Sequence, residues 1–106
     1  MRSYKKLVRD LIPDIIKSNG EEPTTKILDD TEYKFELEKK LVEECNEVLG
    51  TKNSEERMEE LADVVEVIRS LAGVEGKSFE DVLDIAKKKR DKRGGFEQKI
   101  FLEEVK

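Results

Sequence analysis

Between residues 31 and 72 the apolar residues recur at intervals of three and four, and the repeat is interrupted only by Gly50, Thr51, Lys52 and Asn53. That period belongs to helices with one apolar side. An interruption this short leaves the two helices as antiparallel neighbours. A helix over 31–49 carries Leu37, Leu41, Cys45 and Val48 on its apolar side and stops at Gly50. A second, over 55–72, is capped by Asn53 or Ser54 and turns Met58, Leu61, Val64, Val65, Ile68, Leu71 and Ala72 inward. Asp29 and Asp30 supply an N-cap for the first.

The flanks are shorter. Pro13 opens a helix over 13–19 and Gly20 ends it. Ser78 and Asp81 form a capping pair for a helix over 79–92, with Phe79, Val82, Leu83, Ile85 and Ala86 apolar and Gly94 and Gly95 as its stop. Residues 25–28 and the partly alternating tail 96–105 are expected to form a short β pairing. The expected fold is therefore all-α, one domain spanning 1–106: an antiparallel helical bundle with a minor β pairing. The first helix is short, so a second copy is expected to complete the bundle. A chain of 106 residues buries only about two thirds of its unfolded surface.

Composition narrows the function. Charged residues make up 44% of the chain, yet the apolar residues are periodic, which argues against disorder. The net charge of −5 disfavours a nucleic-acid polymer as partner. No run is long and apolar enough for a membrane and no leader pattern is visible, so a cytoplasmic protein is expected. Cys45 is the single cysteine and histidine is absent. This excludes histidine-based acid/base catalysis, serine triads and cysteine- or histidine-rich zinc sites. Cys45 falls on the apolar side of its helix and reads as a small buried hydrophobe.

The carboxylates hold the functional signal. Glu43, Glu44 and Glu47 lie in the first long helix, and Glu60 and Asp63 in the second. At about 100° per residue, Glu44 lies roughly 40° beyond Val48, and Glu60 falls between Val64 and Val67. Residues three or four apart are helix neighbours, so each helix carries an acidic pair beside its apolar side. Antiparallel packing lets the pairs converge, and several carboxylate oxygens around one point suit Mg²⁺ or Mn²⁺. A chain with 26 acids also places carboxylates at such spacings on solvated faces. Spacing alone leaves both readings standing.

The string Glu43-Glu44-Cys45-Asn46-Glu47, a gap of 12 residues, and Glu60-Leu61-Ala62-Asp63 resembles the signature of the all-α nucleoside triphosphate pyrophosphohydrolase superfamily. This is the MazG-like group, which includes phosphoribosyl-ATP pyrophosphohydrolase. The strings KLVRDLIPDII (6–16) and RGGF (93–96) resemble one branch of it, read as house-cleaning enzymes. The resemblance implies Mg²⁺-dependent hydrolysis of a nucleoside triphosphate between the α and β phosphates, giving the monophosphate and pyrophosphate. It implies metal ligation by Glu44, Glu47, Glu60 and Asp63, with Glu43 beside them as an outer residue or as the one that orients water. It also implies an oligomer, at least a homodimer. The alternative is a non-enzymatic helical interaction or regulatory protein that keeps the acidic site.

Other residues carry two readings each. The basic run 87–93 is either a solvated helix end or a triphosphate clamp built from Lys89, Arg90 and Arg93, whose guanidinium forks suit phosphate oxygens. Arg9 and Asp10 read as a structural ion pair before a substrate contact. For Tyr33, Phe35, Phe79 and Phe96 core packing is favoured over a base pocket. Lys39 and Lys40 are expected at the surface.

Overall fold

The computed structural model describes residues 4–106 and places four helices among them: α1 (Ile12–Ser18), α2 (Asp30–Leu49), α3 (Ser54–Val74) and α4 (Phe79–Arg93). No strand occurs among the described residues. The class is all-α, as the apolar period requires.

Local side-chain chemistry starts the three longer helices. Asp29 accepts from the Glu32 backbone N–H at 2.8 Å, and Glu32 reaches back to the Asp29 N–H, closing a capping box. Asn53 accepts from the Glu56 N–H at 2.8 Å, while the Glu56 carboxylate accepts from the Lys52 N–H at 3.0 Å. Ser78 and Asp81 form a second complete box. Each satisfies amide donors that a helix start leaves without partners. α1 begins at Ile12 and carries Pro13 in its first turn, where the missing N–H costs nothing.

Two helices end alike. Gly20 and Gly76 adopt φ of +84° and +70°. The Glu21 N–H then returns to the Ile16 carbonyl, and the Lys77 N–H to the Ala72 carbonyl. These are Schellman closures, which favour glycine because a Cβ is strained at positive φ. Gly73 lies inside α3, which runs on to Val74, and Gly76 is the stop.

α2 and α3 pack along their lengths, α4 leans on α3, and α1 packs against no other helix. Among the described residues the buried apolar ones are Leu37, Val67 and Ala72, and even these keep 3%, 6% and 8% exposure. The radius of gyration is 18.0 Å, against about 13 Å for a compact chain of this size. A closed four-helix bundle is therefore absent from the single chain. A two-helix hairpin with loosely attached flanks takes its place.

This openness corrects several expectations. The pairing of 25–28 with the tail does not form: Ile27 is 97% exposed and Ile100 81%. A two-stranded ribbon with nothing packed on its face is marginal in water. The covered face of α2 is rotated by roughly 50° from Leu41 toward Glu44. Tyr33, Leu37, Lys40, Glu44 and Val48 are covered, and Cys45 is exposed rather than buried. On α3 the covered face centres on Val67, with Val64 and Leu71 beside it. Met58, Leu61 and Val65, expected inward, are exposed because α2 shields only one flank of α3. Leu83, Ile85 and Ala86 of α4 are exposed because α4 meets only α3 among the helices.

Candidate metal centre

The rotation of both faces brings the acids into the seam between the helices. Glu44 lies six residues before Gly50 and Glu60 seven residues after Asn53. With equal rise per residue, an antiparallel hairpin sets them at the same height. Glu60 and Asp63 fall within roughly 40° of Val67, the centre of the covered face of α3. One carboxylate oxygen each from Glu44, Glu60 and Asp63 lies within 4.8 Å of the other two, and all three residues are half-buried.

Glu47 and Glu43 stand outside this trio. Glu47 is exposed on α2 and acts on Glu44 and Glu60 through its charge. Glu43 is also exposed, with an oxygen 3.8 Å from the Lys40 ammonium. Of the five acids singled out in the sequence, three meet and two flank them.

The trio is electrostatically costly. Partial withdrawal from water, followed by the Asp63 charge, raises the Glu44 pKa, and Glu43 and Glu47 push the same way against Lys40. Withdrawal from water and then Asp63 also raise Glu60, with Glu47, Glu44 and a hydrogen bond to Asp63 contributing. Like charges and desolvation both favour the neutral acid. A divalent cation would reverse both effects. The donor set fits such an ion: it is oxygen-only, contributed by two rigid helices, and small enough to leave Mg²⁺ coordination positions for water and phosphate.

Two cations already touch these acids. The Arg9 guanidinium donates from Nη2 to Asp63 Oδ1 at 2.6 Å, across 54 residues of sequence. Lys40, expected at the surface, is mostly covered and stands 3.8 Å from Glu44. Both line a cleft of about 350 Å³ together with Leu7, Tyr33, Glu44 and Asp63. Arg9 thus pairs with Asp63, where the sequence favoured a structural pair with Asp10. The helical spacing held a signal for Lys40, four residues before Glu44 and three after Leu37. It held none for the Arg9–Asp63 contact.

The basic end of α4 lies elsewhere. Arg90 bonds Glu97 in the tail, Lys89 and Arg93 are exposed, and none of the three lines the cleft. Among the aromatics, Tyr33 borders the cleft and Phe79 lies under Arg69 at 4.8 Å. Phe35 and Phe96 are exposed, so core packing does not describe them. No family model, curated protein or solved structure matches the chain.

Proposed function

We propose that the chain is a divalent-cation-dependent nucleoside triphosphate pyrophosphohydrolase. The observation that carries the reading is the meeting of Glu44, Glu60 and Asp63 beside a cleft lined by two cations and an aromatic ring. The resemblance of the acidic signature to the MazG-like group supplies the reaction class. In that reaction water attacks a phosphorus, the α–β bridging P–O bond breaks, and pyrophosphate leaves with the nucleoside monophosphate as second product.

Glu44, Glu60 and Asp63 would hold Mg²⁺ or Mn²⁺, with Glu47 joining from the flank. Bound there, the ion would neutralise phosphate charge and acidify a coordinated water. Glu43, beside Lys40 at the rim, is the candidate to orient that water. Lys40 and Arg9 bring positive charge to the phosphates, and Tyr33 offers an apolar wall for a base or sugar. Lys89, Arg90 and Arg93 would reach a triphosphate only from a second copy. The exposed Met58, Leu61 and Val65 of α3 and Val42 and Leu49 of α2 support at least a homodimer. The substrate class is a nucleoside triphosphate, a non-standard one included, and the setting a house-cleaning enzyme of the cytoplasm.

A regulatory or interaction role has one observation in its favour: Arg9 and Lys40 already offset the acids without an ion. Pyrophosphate release from a panel of standard and modified triphosphates, with and without Mg²⁺, separates the two. The enzyme gives Mg²⁺-dependent release that falls at least about a hundredfold in Glu44→Gln. Absence of release from every nucleotide by the folded protein would favour the regulatory reading.

A further inference from the structure

Leu7, Val8, Arg9 and Asp10 belong to an irregular stretch that precedes α1 and forms one wall of the acidic cleft. Leu7 and Val8 are half-buried along this cleft, whereas the α1 that follows packs against no other helix. The Arg9–Asp63 ion pair ties this stretch to α3 across 54 residues of sequence. Its guanidinium is more than half exposed, so the pair can part without stranding a buried charge. The contact also falls on one of the three carboxylates that converge, where a positive ion would be drawn.

From this placement we infer that Arg9 is an exchangeable phosphate-binding residue, held by Asp63 until a polyphosphate arrives. The inference rests on the pyrophosphohydrolase reading and adds a linkage to it. With no ligand present, the guanidinium competes with a divalent cation for Asp63. A triphosphate entering the cleft offers Arg9 a second partner whose oxygens match its forked donors. Asp63 is then released to the ion. Cation and polyphosphate therefore bind synergistically, and by reciprocity each tightens the other by the same factor. The wall bearing Leu7 and Val8 moves with Arg9, so exchange of the ion pair also changes how the cleft is covered.

The test is a titration with Mn²⁺, followed by the electron paramagnetic resonance signal of the free ion, with no turnover involved. It is run on wild type, Arg9→Gln, Arg9→Lys and Lys92→Gln, with and without an α,β-methylene adenosine triphosphate. Arg9→Gln should bind Mn²⁺ alone about fivefold more tightly than wild type. It should bind the nucleotide with Mn²⁺ about tenfold more weakly and lose most of the synergy. Lys92→Gln removes the same charge outside the cleft and should change neither. Unchanged or weaker Mn²⁺ binding by Arg9→Gln, with wild type binding the ion, would overturn the exchange and leave the metal site standing. Binding of Mn²⁺ by none of the proteins would sink the metal site and the exchange together. Should Arg9→Gln lose its helical circular dichroism, Arg9→Lys decides. It keeps the charge without the fork, and nucleotide affinity equal to wild type would refute the assignment.

Discussion

The ammonium of Lys40 stands 3.8 Å from the carboxylate of Glu44, one helical turn away on α2, and both side chains are largely withdrawn from water, at 18% and 13% exposure. The pair faces the seam with α3, where Asp63 raises the cost of ionising Glu44. Lys40 is the nearest cation to act against that cost. Replacing it by methionine should lower stability at neutral pH by about 1 kcal/mol, the upper end for a partly screened pair. Added Mg²⁺ should restore most of the loss. Urea unfolding of Lys40→Met with and without the ion provides the comparison.

The acid trio also sets a sign for stability against pH. Glu44 and Glu60 have folded-state pKa values raised above the ordinary value of 4.5, first by withdrawal from water and then by Asp63. The folded chain therefore holds protons that the unfolded chain has released. Their contribution is complete below about pH 4.5 and is lost as pH rises through the raised values. Asp81 runs the other way: hydrogen bonds from Ser78 lower its pKa below 3.8, so its cap is lost as pH falls through that lowered value. Without metal, melting temperature should decline from about pH 4.5 upward. In Mg²⁺ the decline should flatten. A decline of equal steepness in both buffers would count against ion binding by these acids.

Leu37 is 3% exposed and one of three buried apolar residues among those described. With so little core, no neighbouring layer is available to collapse onto a cavity. Leu37→Ala should cost about 3 kcal/mol, and a hairpin this open would be largely unfolded at room temperature as a result. Far-ultraviolet circular dichroism would show the loss of helix directly.

Met58 is 64% exposed on α3, and Val42 and Leu49 are exposed on α2. Phe35, Val42 and Leu49 stand seven residues apart, the interval of a helix seam. Sedimentation equilibrium should give at least a dimer. Met58→Glu or Val42→Glu should weaken it by at least tenfold, the effect of burying one unpaired charge. A wild-type monomer at micromolar concentration would count against an interface on this face.

Much of the fold was legible because its causes are local. The period of three and four, the Asp29–Glu32 and Ser78–Asp81 boxes and the glycine stops act within one or two turns of chain. They place α2, α3 and α4 to within a few residues. The hairpin follows from the short connection at Gly50–Asn53. From these, the approach of Glu44 to Glu60 and Asp63 was a fair expectation, since three helical offsets and one loop determine it.

Tertiary packing decided the rest. The choice of which flank of α2 is covered turns on the mutual rotation of two helices, and each has apolar residues on more than one flank. Rotation toward Glu44 brought Lys40 in and left Cys45 out. Arg9 reached Asp63 through a fold contact spanning 54 residues, with no sequence spacing to announce it. Residues 25–28 and the tail have strand-like patterns, but a strand needs a partner and a covered face, which the single chain does not provide. Short-range geometry and capping chemistry thus belong to the sequence alone. Side-chain exposure, pairing across the cleft and strand formation depend on what packs opposite, and that is settled only when the elements meet.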